Sequence, residues 1–203
     1  LILCVTGPMA AGKNVASDIL TKDFAFVSVD CDLLVHQAIE NSKDKILSTF
    51  GSLAKEKGIE LLNTDGKINR RAIGKIIFGK RELIAKQESI VFPETERLIE
   101  EFIESNKGKD IVINATVLYK IKAINFCSSV IYIDCFAPLR LYRAYKRDKM
   151  SVAQILKRFH SQKTLFLEYK KIAADINRVW NFGSRKRLRR KLELVVKRVR
   201  QRI

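Results

Sequence analysis

Three prolines and nine glycines in 203 residues exclude collagen-like and low-complexity chains. No apolar run approaches the roughly 18 residues that a membrane span needs, so no membrane partner is expected. The two histidines, His36 and His160, stand apart with no metal-ligand spacing around them, and both are read as non-catalytic. The four cysteines, Cys4, Cys31, Cys127 and Cys135, form no CxxC pair. Buried thiols in a reducing cytoplasm are therefore expected rather than disulfides, and with them a cytoplasmic protein. Acidic residues are scarce: 22 Asp and Glu face 39 Lys and Arg, a formal charge of +17.

Such an excess points to anionic partners, among them nucleotides, phosphorylated metabolites and nucleic acid. It is unevenly spread. Segment 185–203 holds ten Lys or Arg against the single acid Glu193, a charge of +9, and residues 1–184 carry the other +8. The tail charge therefore need not describe a substrate. The tail lacks the interleaved aromatic residues that stack on bases, so nucleic acid is not its expected partner. Leu188, Leu192, Val195, Val196 and Val199 recur at helical spacing and predict a helix packed on the core. The length suits one core with an insert or lid.

Leu1 to Thr6 is a continuous apolar run, the pattern of a strand buried on both faces rather than of a signal peptide. A glycine-bounded loop follows, then helical spacing through Val15, Ile19 and Leu20. Phe24 to Val29 reads as a second strand. Leu33 to Ala54 reads as one or two helices, and Ile68 to Phe78 as a short basic one. Glu82 to Ser105 is amphipathic, with a break or kink expected at Pro93. Asp110 to Asn114, Ser129 to Asp134 and Ile176 to Trp180 read as further strands. Pro138 to Lys149 reads as a helix, the Ser151-x-x-Gln154 pattern starts another, and Gly183-Ser184 caps the last. Strands alternating with helices imply an α/β fold with a mostly parallel sheet.

Gly7-Pro8-Met9-Ala10-Ala11-Gly12-Lys13-Asn14 follows the phosphate-loop pattern GxxxxGK[ST] except at its last position. A loop between strand and helix aims backbone N–H groups at a phosphate, the glycines permit the turn, and Lys13 reaches the outer phosphates. The final hydroxyl normally holds Mg²⁺. Asn14 stands there instead, able to bind the metal directly or through a water. Asp30-Cys31-Asp32 closes the second strand, where parallel sheets place ligands. One acid there suits a substrate hydroxyl; Asp32 equally suits the cap of a helix starting at Leu33. The turn at Asp65-Gly66 leads into Arg70 and Arg71, suited to phosphate or to a solvated face. Arg140, Arg143 and Arg147 share one helix face, with Lys149, Lys157 and Arg158 beyond, as lid arginines of a phosphoryl-transfer enzyme would. Trp180 reads as packing rather than as a stacking platform, with a border of an adenine pocket as the alternative.

Taken in order, these pieces resemble the dephospho-coenzyme A kinase family. Thr6 to Lys13 resembles its opening loop, Val29 to Asp32 its Ile-Asp-Ala-Asp element, and Phe50-Gly51, Asp65 to Arg71 and Ile77-Phe78 its DGxxxR segment. Pro138 to Arg147, Gln162, Ala174-Asp175 and Asn181-Phe182-Gly183 are similar to its lid and closing stretch. The chain departs from the pattern at Pro8, Asn14, Phe92 and Lys120, and by one extra residue between Asp175 and Asn181. The resemblance implies a phosphate-loop kinase fold. Its nucleotide core would span 1–33, 108–137 and 172–203, its helical substrate region 34–107 and its lid 138–171. It also implies transfer from ATP, with Mg²⁺, to the ribose 3′-hydroxyl of dephospho-coenzyme A. Asp30 would orient or deprotonate that hydroxyl, and Lys13, Arg143 and Arg147 would hold the transferring phosphate. Residues Gly7 to Asn14 and Asn181 would bind ATP, and Asp32, Arg70 and Arg71 the acceptor. The alternatives are a nucleoside-monophosphate type of small kinase, or a catalytically weakened nucleotide-binding protein with a basic tail.

Overall fold

A computed structural model describes residues 1–148, 150–173 and 175–202; the expectations for Lys149 and Ala174 lie outside them. The chain forms two compact units, residues 1–30 with 103–203, and residues 31–102.

In the first unit, β1 (Ile2–Thr6), β2 (Val27–Asp30), β3 (Ile111–Asn114), β4 (Ser129–Asp134) and β5 (Ile176–Trp180) form one sheet. The strand order is β2-β3-β1-β4-β5, and every pairing is parallel. Strands β3 and β4 are buried along their whole length, as their unbroken apolar runs require. Helices α1 (Lys13–Phe24) and α9 (Arg185–Arg200) bring Ile19, Leu20, Leu188, Leu192 and Val196 onto Leu3, Val5 and Ile131 of the sheet. The expected apolar stripe of the tail is buried as the spacing required. Its cations are in part used at home: Arg185 pairs with Asp18 at 2.7 Å, Arg189 with Asp23 at 3.1 Å and Arg202 with Asp175 at 2.9 Å.

Strand β2 starts at Val27 rather than Phe24. Helix α1 runs through Phe24 and ends at Ala25 in the left-handed region, with φ 60°. Helices α6 (Ala137–Asp148), α7 (Val152–Ser161) and α8 (Leu165–Ile172) follow β4. Ser151 and Gln154 make the expected reciprocal cap.

The second unit is helical: α2 (Cys31–Asn41), α3 (Lys43–Glu56), α4 (Arg70–Ile77) and most of α5 (Arg81–Ser105). The Asp65-Gly66 turn is closed by Asn63 N–H donating to the Lys67 carbonyl at 2.8 Å, and Gly66 takes φ 75°. Glu40 accepts from Ile68 N–H at 3.1 Å, tying that turn to α2. Helix α5 runs unbroken through Pro93, against the expected break. Val91 and Leu98, on either side of the proline, are both buried in the helical core, and that packing outweighs the lost backbone bond. No helix among the described residues is long and apolar enough to cross a membrane. No disulfide joins the four cysteines.

Candidate active site

The parallel sheet brings the ends of β1, β2 and β3 side by side. The register sets Asp30 opposite Asn114, and Asn114 opposite Val5, which leads into the loop at Gly7. The loop itself is tightly held. A Cβ at Gly7 would lie 2.1 Å from the Ile133 carbonyl oxygen, and φ there is 147°. Ala11 N–H donates to the Pro8 carbonyl at 3.1 Å, so Pro8 shapes the turn while offering no N–H of its own. Gly12 is the N-cap of α1 in the left-handed region, with no side-chain cap. No N-cap side chain covers the first N–H groups of that helix, an arrangement that suits an anion. Lys13 folds back over the loop and donates to the Gly7 carbonyl at 3.0 Å.

Asn181, one residue beyond β5, donates from Nδ2 to the Ala11 carbonyl at 2.8 Å. The lid region grips the loop at Met9. Met9 N–H donates to Gln162 Oε1 at 2.7 Å, and Arg140 Nε donates to the Met9 carbonyl at 2.8 Å. Arg140 lies 4.0 Å over the Phe159 ring, and its Nη2 has no hydrogen-bond partner. Burial lowers its pKa, with Asp134 opposing that shift. Arg143 Nη1 donates to the Asn181 carbonyl at 3.5 Å. Arg147 is paired with its neighbour Asp148 at 2.5 Å, which holds that carboxyl below its ordinary range.

A cavity of about 230 Å³ opens beside the loop, lined by Asn14, Ser17, Asp18, Asp30 and Asn114 among others. Asn114 is only 6% exposed. Its Nδ2 donates to Asn14 Oδ1 at 3.1 Å, and its own Oδ1 has no partner. On the other side, Phe136, Trp180 and Phe182 form an aromatic cluster with ring centroids 5.2–6.3 Å apart. Phe136 is 54% exposed and Phe182 40%.

The structure thus brings Lys13, Asn14, Asp30, Arg143 and Asn181 around one loop and the strand ends beside it. Asp32 lies in the first turn of α2 rather than capping it, because that helix begins at Cys31. Arg70 and Arg71 are exposed in the first turn of α4, behind the cap Asn69. Those three residues belong to the helical unit. Sequence reading missed Asn114, whose only sequence signal is a polar residue ending an apolar run. Arg140 and Gln162 were read as lid residues, but their bonds to Met9 carry no sequence signal.

The dephospho-CoA kinase family model matches residues 1–179. A dephospho-CoA kinase of Treponema denticola is 35% identical over 201 residues, covering 97% of this chain and 89% of that protein. That of Treponema pallidum is 30% identical over 200 residues, covering 97% and 94%. Among solved structures, the Campylobacter jejuni dephospho-CoA kinase superposes with a TM-score of 0.62 at 24% identity over 98% of this chain and 96% of that one. A Thermus thermophilus crystal structure gives 0.79 at 22% identity over 98% and 97%. At those identities the structural likeness speaks for the fold.

Proposed function

The chain belongs to the dephospho-CoA kinase family, a family of ATP-using phosphotransferases, and from that premise we propose that it moves the γ-phosphate of ATP to the ribose 3′-hydroxyl of dephospho-coenzyme A. The observation that carries this reading is the parallel register that sets Asp30, at the end of β2, across Asn114 of β3 from the strand that leads into the Lys13 loop.

The N-terminus of α1 and the Lys13 ammonium hold the outer phosphates, where loop amides and a positive charge suit them. The Asp30 carboxylate accepts a hydrogen bond from the attacking hydroxyl and takes its proton as the new O–P bond forms and the β–γ bridging bond breaks. Arg143, already at the Asn181 carbonyl, and Arg147 balance charge on the transferring group. The adenine ring lies on the side away from Asp30, against the exposed faces of Phe136 and Phe182. Residues 1–33, 108–137 and 172–203 serve as the nucleotide core, 138–171 as the lid and 34–107 as the acceptor region, with Asp32, Arg70 and Arg71 toward the acceptor.

Asn14 and Asp30 line one cavity and supply oxygens suited to a hard cation, and the partnerless Asn114 Oδ1 behind Asn14 can take up the Asn14 amide nitrogen when the Asn14 oxygen turns to the cation. Mg²⁺, when bound there, neutralises phosphate charge; Asn14 would meet it directly or through a water.

The test is an acceptor screen with ATP and Mg²⁺, reading ADP release. Dephospho-coenzyme A should be the preferred acceptor, and preference for a nucleoside monophosphate would transfer the reading to that kinase type.

A further inference from the structure

Asn14 and Asn114 lie 100 residues apart and share one hydrogen bond, from Asn114 Nδ2 to Asn14 Oδ1. Asn14 is exposed and Asn114 buried, so the two amides differ in what they can reach. The open side of Asn14 faces solvent. Asn114 relies on its neighbours, and its Oδ1 finds no partner among them. A buried oxygen left without a donor is costly. An amide pair has a second bonded arrangement, with both side chains turned over. There Asn14 Nδ2 donates to Asn114 Oδ1, Asn14 Oδ1 is released toward the crevice, and Asn114 Nδ2 takes the place its oxygen held, so each arrangement keeps one hydrogen bond and a cation at the released oxygen decides between them.

The two arrangements present different chemistry to a nucleotide. With Oδ1 engaged, the Asn14 amide offers mainly N–H groups, which suit a phosphate oxygen. Turned over, it offers an oxygen, which suits a cation. We propose that Asn114 is a positioning residue that sets which end of the Asn14 amide meets the metal–phosphate group, and that cation binding turns the pair over together. The pair would stand in for the single hydroxyl of the usual phosphate loop. The inference rests on the phosphate-loop reading of the site but not on the identity of the acceptor.

Asn114→Asp tests it. A carboxylate only accepts, so it holds Asn14 with Nδ2 inward and Oδ1 outward. The ratio of ATP affinity with Mg²⁺ to ATP affinity without it should rise roughly tenfold, as for a charge-assisted hydrogen bond that fixes a ligand. The added charge could attract the cation unaided, so the same substitution is made in Asn14→Ala. The rise should vanish there; an equal rise in both backgrounds overturns the proposal. A second measurement uses the natural protein and needs no variant to fold. Adding Mg²⁺ to the ADP complex should shift the side-chain amide resonances of Asn14 and Asn114 together in ¹⁵N–¹H spectra. A shift confined to Asn14, or none, also overturns it. Neither measurement requires phosphate transfer, so loss of the kinase reading and loss of this one are separable.

Discussion

Asn181 and Gly12 meet with no space for a side chain between them. A Cβ at Gly12 would lie 2.2 Å from Asn181 Nδ2, the same nitrogen that donates to the Ala11 carbonyl. The residue after the last strand thereby sets the shape of the loop after the first.

Gly12→Ala should therefore fail twice, by its positive φ of 102° and by the clash. The backbone strain alone is on the order of 1–3 kcal/mol. ATP affinity and melting temperature should both fall. Asn181→Ala should leave the buried Ala11 carbonyl without its donor, at a cost of about 1–3 kcal/mol. The double variant should be less damaged than the sum, because removing the amide relieves the clash. Calorimetric titration with ATP and thermal melts of all three variants check this.

Asp30→Asn keeps the shape at the end of β2 and removes the charge. It should lower kcat by roughly 10²–10⁴, the usual range for a general acid–base group, with a smaller effect on ATP affinity. Steady-state rates beside equilibrium nucleotide binding separate the two effects.

The loop was legible because its signal is local: an apolar strand, two glycines, a lysine and a helix within fourteen residues. The place of Asp30 at the end of β2 was legible because the apolar run stops there, and strand ends of parallel sheets are where ligands are sought. Asn114 and the Asn181 contact were not, since each depends on pairing across 100 or more residues. Pro93 misled for a related reason: local backbone chemistry argues for a break, and the burial of Val91 and Leu98 decides otherwise. Asp32 reads as a cap only while the helix start is placed one or two residues late.

In the helical unit, Glu94 accepts from Arg97 and from Asn41, and these hydrogen bonds lower its pKa from 4.5 to about 2. A depressed carboxylate contributes stability above its unfolded pKa and loses it as pH falls through the folded one. Natural protein should lose this contribution between about pH 4.5 and 2. Glu94→Gln should be less stable near neutrality and lack that part of the acid dependence. Denaturant titrations at several pH values decide it.

The tail should behave as part of the core. Leu192 is fully buried, and Leu192→Ala should cost roughly 2–5 kcal/mol. The exposed Lys186→Ala should stay within about 0.5 kcal/mol. Binding to nucleic acid should be weak and fall steeply with salt. Chemical denaturation of both variants and a salt series with a random oligonucleotide check this.

Transfer of the γ-phosphate to one hydroxyl leaves a product that can be read directly. The direct measurement is ³¹P NMR of the product formed from ATP, Mg²⁺ and dephospho-coenzyme A, with enzymatic removal of 3′-phosphates as a second arm. A new phosphomonoester on the ribose 3′-oxygen is expected, equal in amount to the ADP released and absent with Lys13→Ala. ADP release with inorganic phosphate as its only partner, or a phosphate on another oxygen, would contradict it.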